Sequence, residues 1–470
     1  MLAACSPSPQ PVTLRHERSP ARTLLALSLI ATFLLFFAPP ARSAYGPPPA
    51  QLPTMTPSPA RETPAPPPSA PTKTEQYTLS HERWEKAVAY SRAGYTLYFV
   101  YYLCVVGGLL VILRLGIPAR LRDFAERSTE SRWLQGILFL PPMVLLMGLL
   151  DLPVRVYWHH LSLRYEQSVE GWAAWSVDWI KEELLQLLIF TILGLILFAL
   201  LRRSPRRWWF YFWLAVLPIA LLLTIASPYI IDPLFNHFEP LSNKYPALVD
   251  SISRLTQHAG VPIPPERIFL MEASKKTNEL NAYVAGLGPS KRVVIWDTTI
   301  QDTSPEGTLF IVGHELGHYV LGHVWEGFLY FAAGAFLGLY LAYRALNWSL
   351  ARWGQRWKIY GPQDWAALAV LFLLVQVGSF FADPIVNAIS RMDEHNADIF
   401  GLEVIHGVVP DSAEVAARAF QVLGEIDLSD PNPPPFITFW LYSHPPLAER
   451  LVFAHTYNPW SRGQSPKYVK

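Results

Sequence analysis

Two histidines stand four residues apart, with a glutamate between them, in Gly313-His314-Glu315-Leu316-Gly317-His318-Tyr319. On an α-helix that spacing puts both imidazoles on one face, one turn apart, and lays Glu315 alongside. Neutral imidazole suits zinc, and a carboxylate beside the metal can take the proton of a water that the cation has acidified. The chemistry served by such a pattern is hydrolysis. Two satisfied histidines in a buried amphipathic helix would read the same way, so the remaining ligand decides.

In one extended form of this motif a third histidine follows six residues after the second, with a glycine three residues after it. Val324 and Leu321 occupy those places, and His323, one residue out of register, reads as an ordinary helix-surface histidine. A better candidate lies downstream in Arg391-Met392-Asp393-Glu394-His395-Asn396-Ala397-Asp398, where Glu394 and Asp398 are again one helical turn apart. Glu394 would complete a site of two histidines and one glutamate. Asp398 would accept the free N–H of a ligand histidine, with His314 the first choice. A solvated charged helix face is the plain alternative. It loses ground because the segment follows a membrane-like run in a chain that already carries half a site.

The elements needed to position these groups are also visible. Ser304 can cap a helix, Pro305 suits its first position, and Leu309, Phe310, Val312, Leu316 and Val320 give it an apolar face. Asn281 to Gly286 and Arg292 to Trp296 are β-rich runs joined through Leu287-Gly288-Pro289-Ser290-Lys291, a hairpin pattern. Its edge, at Asn281, Ala282 and Tyr283, could pair with an extended peptide, or the hairpin could be purely structural. In Tyr442-Ser443-His444-Pro445-Pro446-Leu447-Ala448-Glu449-Arg450, His444 sits before two prolines as a rigidly placed oxyanion donor. Arg450 could pair with Glu394 or stabilise the fold nearby. The plain alternative there is a loop and a helix with surface charges. His159 and His160 read as loop histidines at a membrane interface.

The composition sets the frame for these elements. Hydrophobic residues make up 51% of the 470 and charged residues only 16%, with a mean hydropathy of +0.20, as in a polytopic membrane protein. A net charge of +1 gives no argument for nucleic acid, and two cysteines cannot build a disulfide framework or a cysteine zinc site.

Residues 1–45 read as a signal peptide or first transmembrane helix, with arginines before an apolar run from Thr23 to Phe37. Residues 46–76 read as a disordered linker, since eleven prolines fall between 46 and 72. Six apolar runs follow, near 95–113, 133–150, 184–201, 208–226, 327–343 and 365–382, each about the 17 to 25 residues a membrane helix needs. Pro141-Pro142 should kink the second, and Gln376 with Asp383 turns the last toward protein or water. The expected division is 77–226 as an N-terminal membrane region of about four spans, 227–326 and 383–470 as two halves of a metalloprotease domain, and 327–382 as two spans between them. Loops 114–132, 202–207 and 344–364 carry five, four and four Lys or Arg, against three in 151–183, so positive-inside logic puts the catalytic halves on the exoplasmic side.

Five blocks in this order resemble the CAAX prenyl protease type 1 family of integral-membrane zinc metalloendopeptidases. They are Leu79-Ser80-His81-Glu82-Arg83-Trp84-Glu85-Lys86-Ala87, Asp232-Pro233-Leu234-Phe235-Asn236, Asn281-Ala282-Tyr283, the His314–His318 motif with Glu394 and Asp398, and Ser443-His444-Pro445-Pro446. The resemblance covers about Leu79 to Leu451. It implies one zinc per chain on His314, His318 and Glu394, Glu315 as general base, Asp398 behind the ligands, Asn281 and Ala282 on the substrate edge, and His444 as oxyanion donor. It also implies an all-α multi-pass fold of six or seven transmembrane helices around a water-filled chamber, with a mainly α zinc-metalloprotease domain carrying a small hairpin or edge strand. The partners it implies are membrane lipid and an extended peptide or protein substrate, lipidated or not; the sequence leaves the oligomeric state open. Two features depart from the pattern. The proline-rich insertion is foreign to it, and eukaryotic members face the cytosol where the loop charges here favour the other side. The rivals are a heat-shock membrane protease, a non-enzymatic membrane protein with structural zinc and, more remotely, a transporter.

Overall fold

The structure, a computed structural model, describes residues 77–286 and 291–469. The expected signal or anchor and the proline-rich linker lie outside the described residues.

Helix α1 (His81–Leu115) starts where the Ser80 hydroxyl accepts the Arg83 N–H, and stops at Gly116, whose φ of 68° turns its N–H back to the carbonyls of Ile112 and Leu113. A short amphipathic helix, α2 (Ile117–Ser128), leads into α3 (Arg132–Arg164), which runs unbroken through Pro141, Pro142 and Pro153. Next come α4 (Trp172–Arg203) and α5 (Trp208–Ala226), the latter widening into a π-helical turn at Ser227–Ile231. After the segment 227–322, α9 (His323–Trp357) and α10 (Ala367–Ile405) complete six helices long and apolar enough to cross a membrane among the described residues. Phe139, Phe198, Trp208 and Trp365 are among the largest fully buried side chains where these helices meet. A cavity of about 480 Å³ among them is lined by apolar residues and by Tyr101, Asp151, Arg155, Glu182 and Gln376.

The run 151–183, expected as a loop, is mostly helix. The chain leaves helical geometry only between α3 and α4, and His159 and His160 are both in α3. The reason is that the charges there are matched: Arg155 pairs with Asp151 one turn away at 2.7 Å and with Glu182 across the bundle at 2.9 Å. His159 is buried, stacked on Trp175 with ring centroids 5.1 Å apart.

The part expected to be catalytic holds a four-stranded sheet in the order β1-β2-β4-β3. The strands are β1 (Phe238–Pro240), β2 (Ile268–Met271), β3 (Ala282–Ala285) and β4 (Arg292–Trp296), with β2 and β4 parallel and the other pairs antiparallel. Thus β3 and β4 form the expected hairpin, and β3 is an edge strand. Helices α6 (Pro246–His258), α7 (Asp297–Asp302), α8 (Pro305–Val320), α11 (Ser412–Ile426), α12 (Pro435–Leu441) and α13 (Leu447–Thr456) make up the rest. Their core joins Ile295 of the sheet to Phe310 and Leu316 of α8, Phe400 of α10 and Phe420 of α11. Helix α10 belongs to both cores, so it carries the chain from the membrane into the catalytic part without a break.

Candidate metal centre

Helix α8 presents the first half of the site. The Ser304 hydroxyl accepts the Gly307 N–H at 3.0 Å and Pro305 opens the first turn. The helix then packs lengthwise on α10, and small residues set how closely. A Cβ added to Gly401 would lie 3.0 Å from the His314 backbone nitrogen, and one added to Gly317 would lie 3.2 Å from Ala397 Cα. Sequence reasoning passed over these contacts, although small residues recur four apart on both helices, at Gly313 and Gly317 and at Ala397 and Gly401. That repeat was the available signal.

The close packing brings His314, His318 and Glu394 together, with one potential ligand atom from each lying within 4.8 Å of the others. His314 Nε2 is 3.1 Å from His318 Nε2 and 3.2 Å from Glu394 Oε2, and His318 Nε2 is 3.5 Å from Glu394 Oε1. Behind them, Asp398 Oδ1 is 2.9 Å from His314 Nδ1. Asp398 is itself gripped by Arg450, through Nε at 2.9 Å and Nη2 at 2.6 Å. The Arg450 guanidinium lies over the Phe420 ring, 4.3 Å from its centroid. Arg450 therefore pairs with Asp398 rather than with Glu394, because Asp398 lies one turn deeper and is completely buried. His444 lies at the open side of the site, with Nε2 3.2 Å from Glu394 Oε2 and Nδ1 2.9 Å from Ser443 Oγ.

His323 requires a correction. It is no surface histidine: its side chain is 9% exposed and its Nδ1 lies 2.9 Å from His318 Nδ1. Counting helical positions past Leu321 fails because the helix ends there. Gly322, at φ 79°, turns the chain sharply into α9 and folds His323 back against the previous turn.

The donor set suits a divalent cation. Two imidazole nitrogens and a carboxylate converge on one point, and the carboxylate facing His314 Nδ1 would keep a proton there and free the Nε2 lone pair for a metal. Formal charge also closes, since a dication and Arg450 match Glu315, Glu394 and Asp398. The site already favours positive charge: burial works against a charged His314, but hydrogen bonds with Asp398 and Glu394 outweigh it and push the imidazole up to about 10. Enclosure by protein raises the Glu315 carboxyl above its usual range.

At the sheet edge, the Asn281 backbone bonds inward, its N–H donating to Thr299 Oγ1 at 2.7 Å and its C=O accepting the Trp296 N–H at 3.1 Å, while the residue itself is exposed. Ala282 is buried, and the Tyr283 hydroxyl donates to Asp232 Oδ2 at 3.3 Å. No strand pairs with the outer edge of β3 among the described residues.

Two family models account for most of the chain: one described as CAAX prenyl protease N-terminal, five membrane helices, matches residues 63–237, and one described as peptidase family M48 matches residues 242–457. A Bacillus subtilis (strain 168) protein called uncharacterized metalloprotease YhfN is 35% identical over 344 residues, which are 73% of this chain and 79% of that protein. The chain belongs to peptidase family M48. Among other relatives, CAAX prenyl protease 1 of Saccharomyces cerevisiae is 27% identical over 68% of this chain and 71% of its own. The crystal structure of S. mikatae Ste24p shares the fold, with a TM-score of 0.69 over 81% of this chain and 90% of that one, at 24% identity. This M48 protein is thus a multi-pass membrane metalloprotease of the CAAX prenyl protease 1-like type. The match of the N-terminal membrane region separates it from the heat-shock rival, and membership of a peptidase family sets aside the non-enzymatic and transporter readings.

Proposed function

We propose that the protein is a zinc metalloendopeptidase that cleaves extended peptides, with the metal held by His314, His318 and Glu394. The convergence of these three side chains beside Glu315 carries the reading. Bound there, zinc would supply Lewis acidity, polarising a scissile carbonyl and lowering the pKa of water to about 7.

The protein's own residues do the rest. Glu315 takes the proton of the attacking water and passes it to the leaving amine, and a raised pKa suits a group that must both accept and release a proton near neutrality. The Ser443 hydroxyl, donating to His444 Nδ1, leaves the His444 proton on Nε2, which faces the site and can donate to the oxyanion formed by attack on a carbonyl. Asp398, steadied by Arg450, holds the His314 ring in the tautomer a ligand needs. Substrate backbone pairs with β3. Since the Asn281 backbone pairs inward, strand alternation turns the N–H and C=O of Ala282 and Val284 to the free edge. Tyr283 faces the other way and serves the edge through its hold on Asp232.

The relatives called CAAX prenyl protease 1 make a lipid-modified C-terminal peptide the first substrate to try. The Lys and Arg of the loops support an exoplasmic position for the catalytic part. The test uses two quenched fluorescent peptides, one farnesylated at a C-terminal C-a-a-X cysteine and one unmodified, given to the detergent-purified full chain and to Glu394→Ala. Wild type should hold one zinc and cleave at least one peptide, while Glu394→Ala should lose both metal and activity. Full zinc occupancy in Glu394→Ala would overturn the ligand set, and equal rates on the two peptides would show that lipid plays no part.

A further inference from the structure

We propose that His323, backed by Asp393, is a positioning residue for the metal site. Its Nδ1 accepts the Nδ1–H of His318 and so holds that ring with its Nε2 lone pair turned to the metal. The inference rests on His318 being a ligand.

Several independent observations carry it. A ligand imidazole uses one nitrogen for the metal and needs a partner for the N–H of the other. For His314 that partner is Asp398, at 2.9 Å. The Nε2 of His318 points at His314 Nε2 and Glu394, at 3.1 and 3.5 Å, so the nitrogen left to carry hydrogen is Nδ1. The partner facing that Nδ1 is His323 Nδ1, at 2.9 Å, with the two rings edge to face at 75°. Two N–H groups cannot face each other at that distance, so His323 Nδ1 is the acceptor and its own hydrogen lies on Nε2. On that side stands the Asp393 carboxylate, with Oδ1 3.9 Å from His323 Nε2. With His323 Nδ1 as the acceptor, His318 Nε2 is left bare, and the Asp393 carboxylate stands near the His323 N–H, just beyond hydrogen-bond distance.

The backbone is arranged to make this contact. Five residues along an unbroken helix would put His323 more than a third of a turn away from His318. The left-handed Gly322, at φ 79°, ends α8 and starts α9 so that the two rings meet. Asp393 comes from α10, immediately before Glu394, so one helix supplies both a ligand and the support for another.

The test compares full-length wild type, His323→Phe, His323→Leu, His323→Asn and His318→Ala in detergent. It reads zinc affinity by chelator competition, the visible spectrum of the cobalt-substituted protein, and thermal unfolding after metal removal. Asn keeps an acceptor near the Nδ1 position, whereas Phe and Leu fill the space without one. Both non-accepting variants should bind zinc about 10 to 100-fold more weakly and shift the cobalt bands, and His323→Asn should recover most of the affinity. Metal-free unfolding should stay close to wild type in all three. Wild-type affinity and cobalt bands in His323→Phe and His323→Leu would overturn the proposal, as would an Asn variant no better than Leu. If wild type binds no more zinc than His318→Ala, the ligand assignment itself has failed, which is a separate result.

Discussion

At the residue scale the site is a set of charges that must be matched before any of them can be buried. Asp398 is fully buried, and its partners are the Arg450 fork and His314 Nδ1. Removing one member of a buried pair costs more than the pair contributes, because the other charge is left without compensation. Arg450→Met should therefore destabilise the protein by about 3–5 kcal/mol, and it should also weaken zinc binding by releasing the Asp398–His314 contact. Denaturant unfolding of the catalytic part and chelator competition would check both effects. An unfolding midpoint within error of wild type would mean that Asp398 is satisfied in some other way.

At the element scale, the distance between α8 and α10 governs the metal site. Gly401 touches the His314 backbone, so Gly401→Ala must push the helices apart or strain them, at roughly 1–3 kcal/mol. Zinc affinity should fall with it, although the substitution touches no ligand side chain, and equilibrium dialysis against zinc would show whether it does. Most of this scale was legible in the sequence. The i, i+4 spacing in His314–His318 and in Glu394–Asp398 gave both helical halves of the site, and the β-rich runs flanking Leu287–Lys291 gave the hairpin. Two things were hidden for physical reasons. Gly322 breaks the helical count, so the position of His323 could be found only in three dimensions. In α3 and α4 the charged residues that looked like loop are paired with one another inside the bundle, and a linear reading cannot see a partner 27 residues away.

At the scale of the whole molecule, α10 ties the membrane bundle to the catalytic part, so the side of the membrane on which Glu394 emerges follows from the topology of the six spans among the described residues. The arginine-rich connections near α2 and after α4 argue for a cytoplasmic location there, and hence for an exoplasmic site. With Cys5 and Cys104 replaced by serine, a membrane-impermeant maleimide should label Asp250→Cys on α6 in intact cells. It should label Glu130→Cys, before α3, only after permeabilisation. The reverse pattern would put the catalytic part in the cytosol.

The measurement closest to the central claim is peptide cleavage by wild type and Glu315→Gln, with zinc content determined on the same samples. The geometry predicts equal zinc, because Glu315 is not a ligand, and a loss of turnover of about 10²–10⁴-fold, the share of a positioned general base. Wild-type turnover in a fully loaded Glu315→Gln protein would contradict the mechanism.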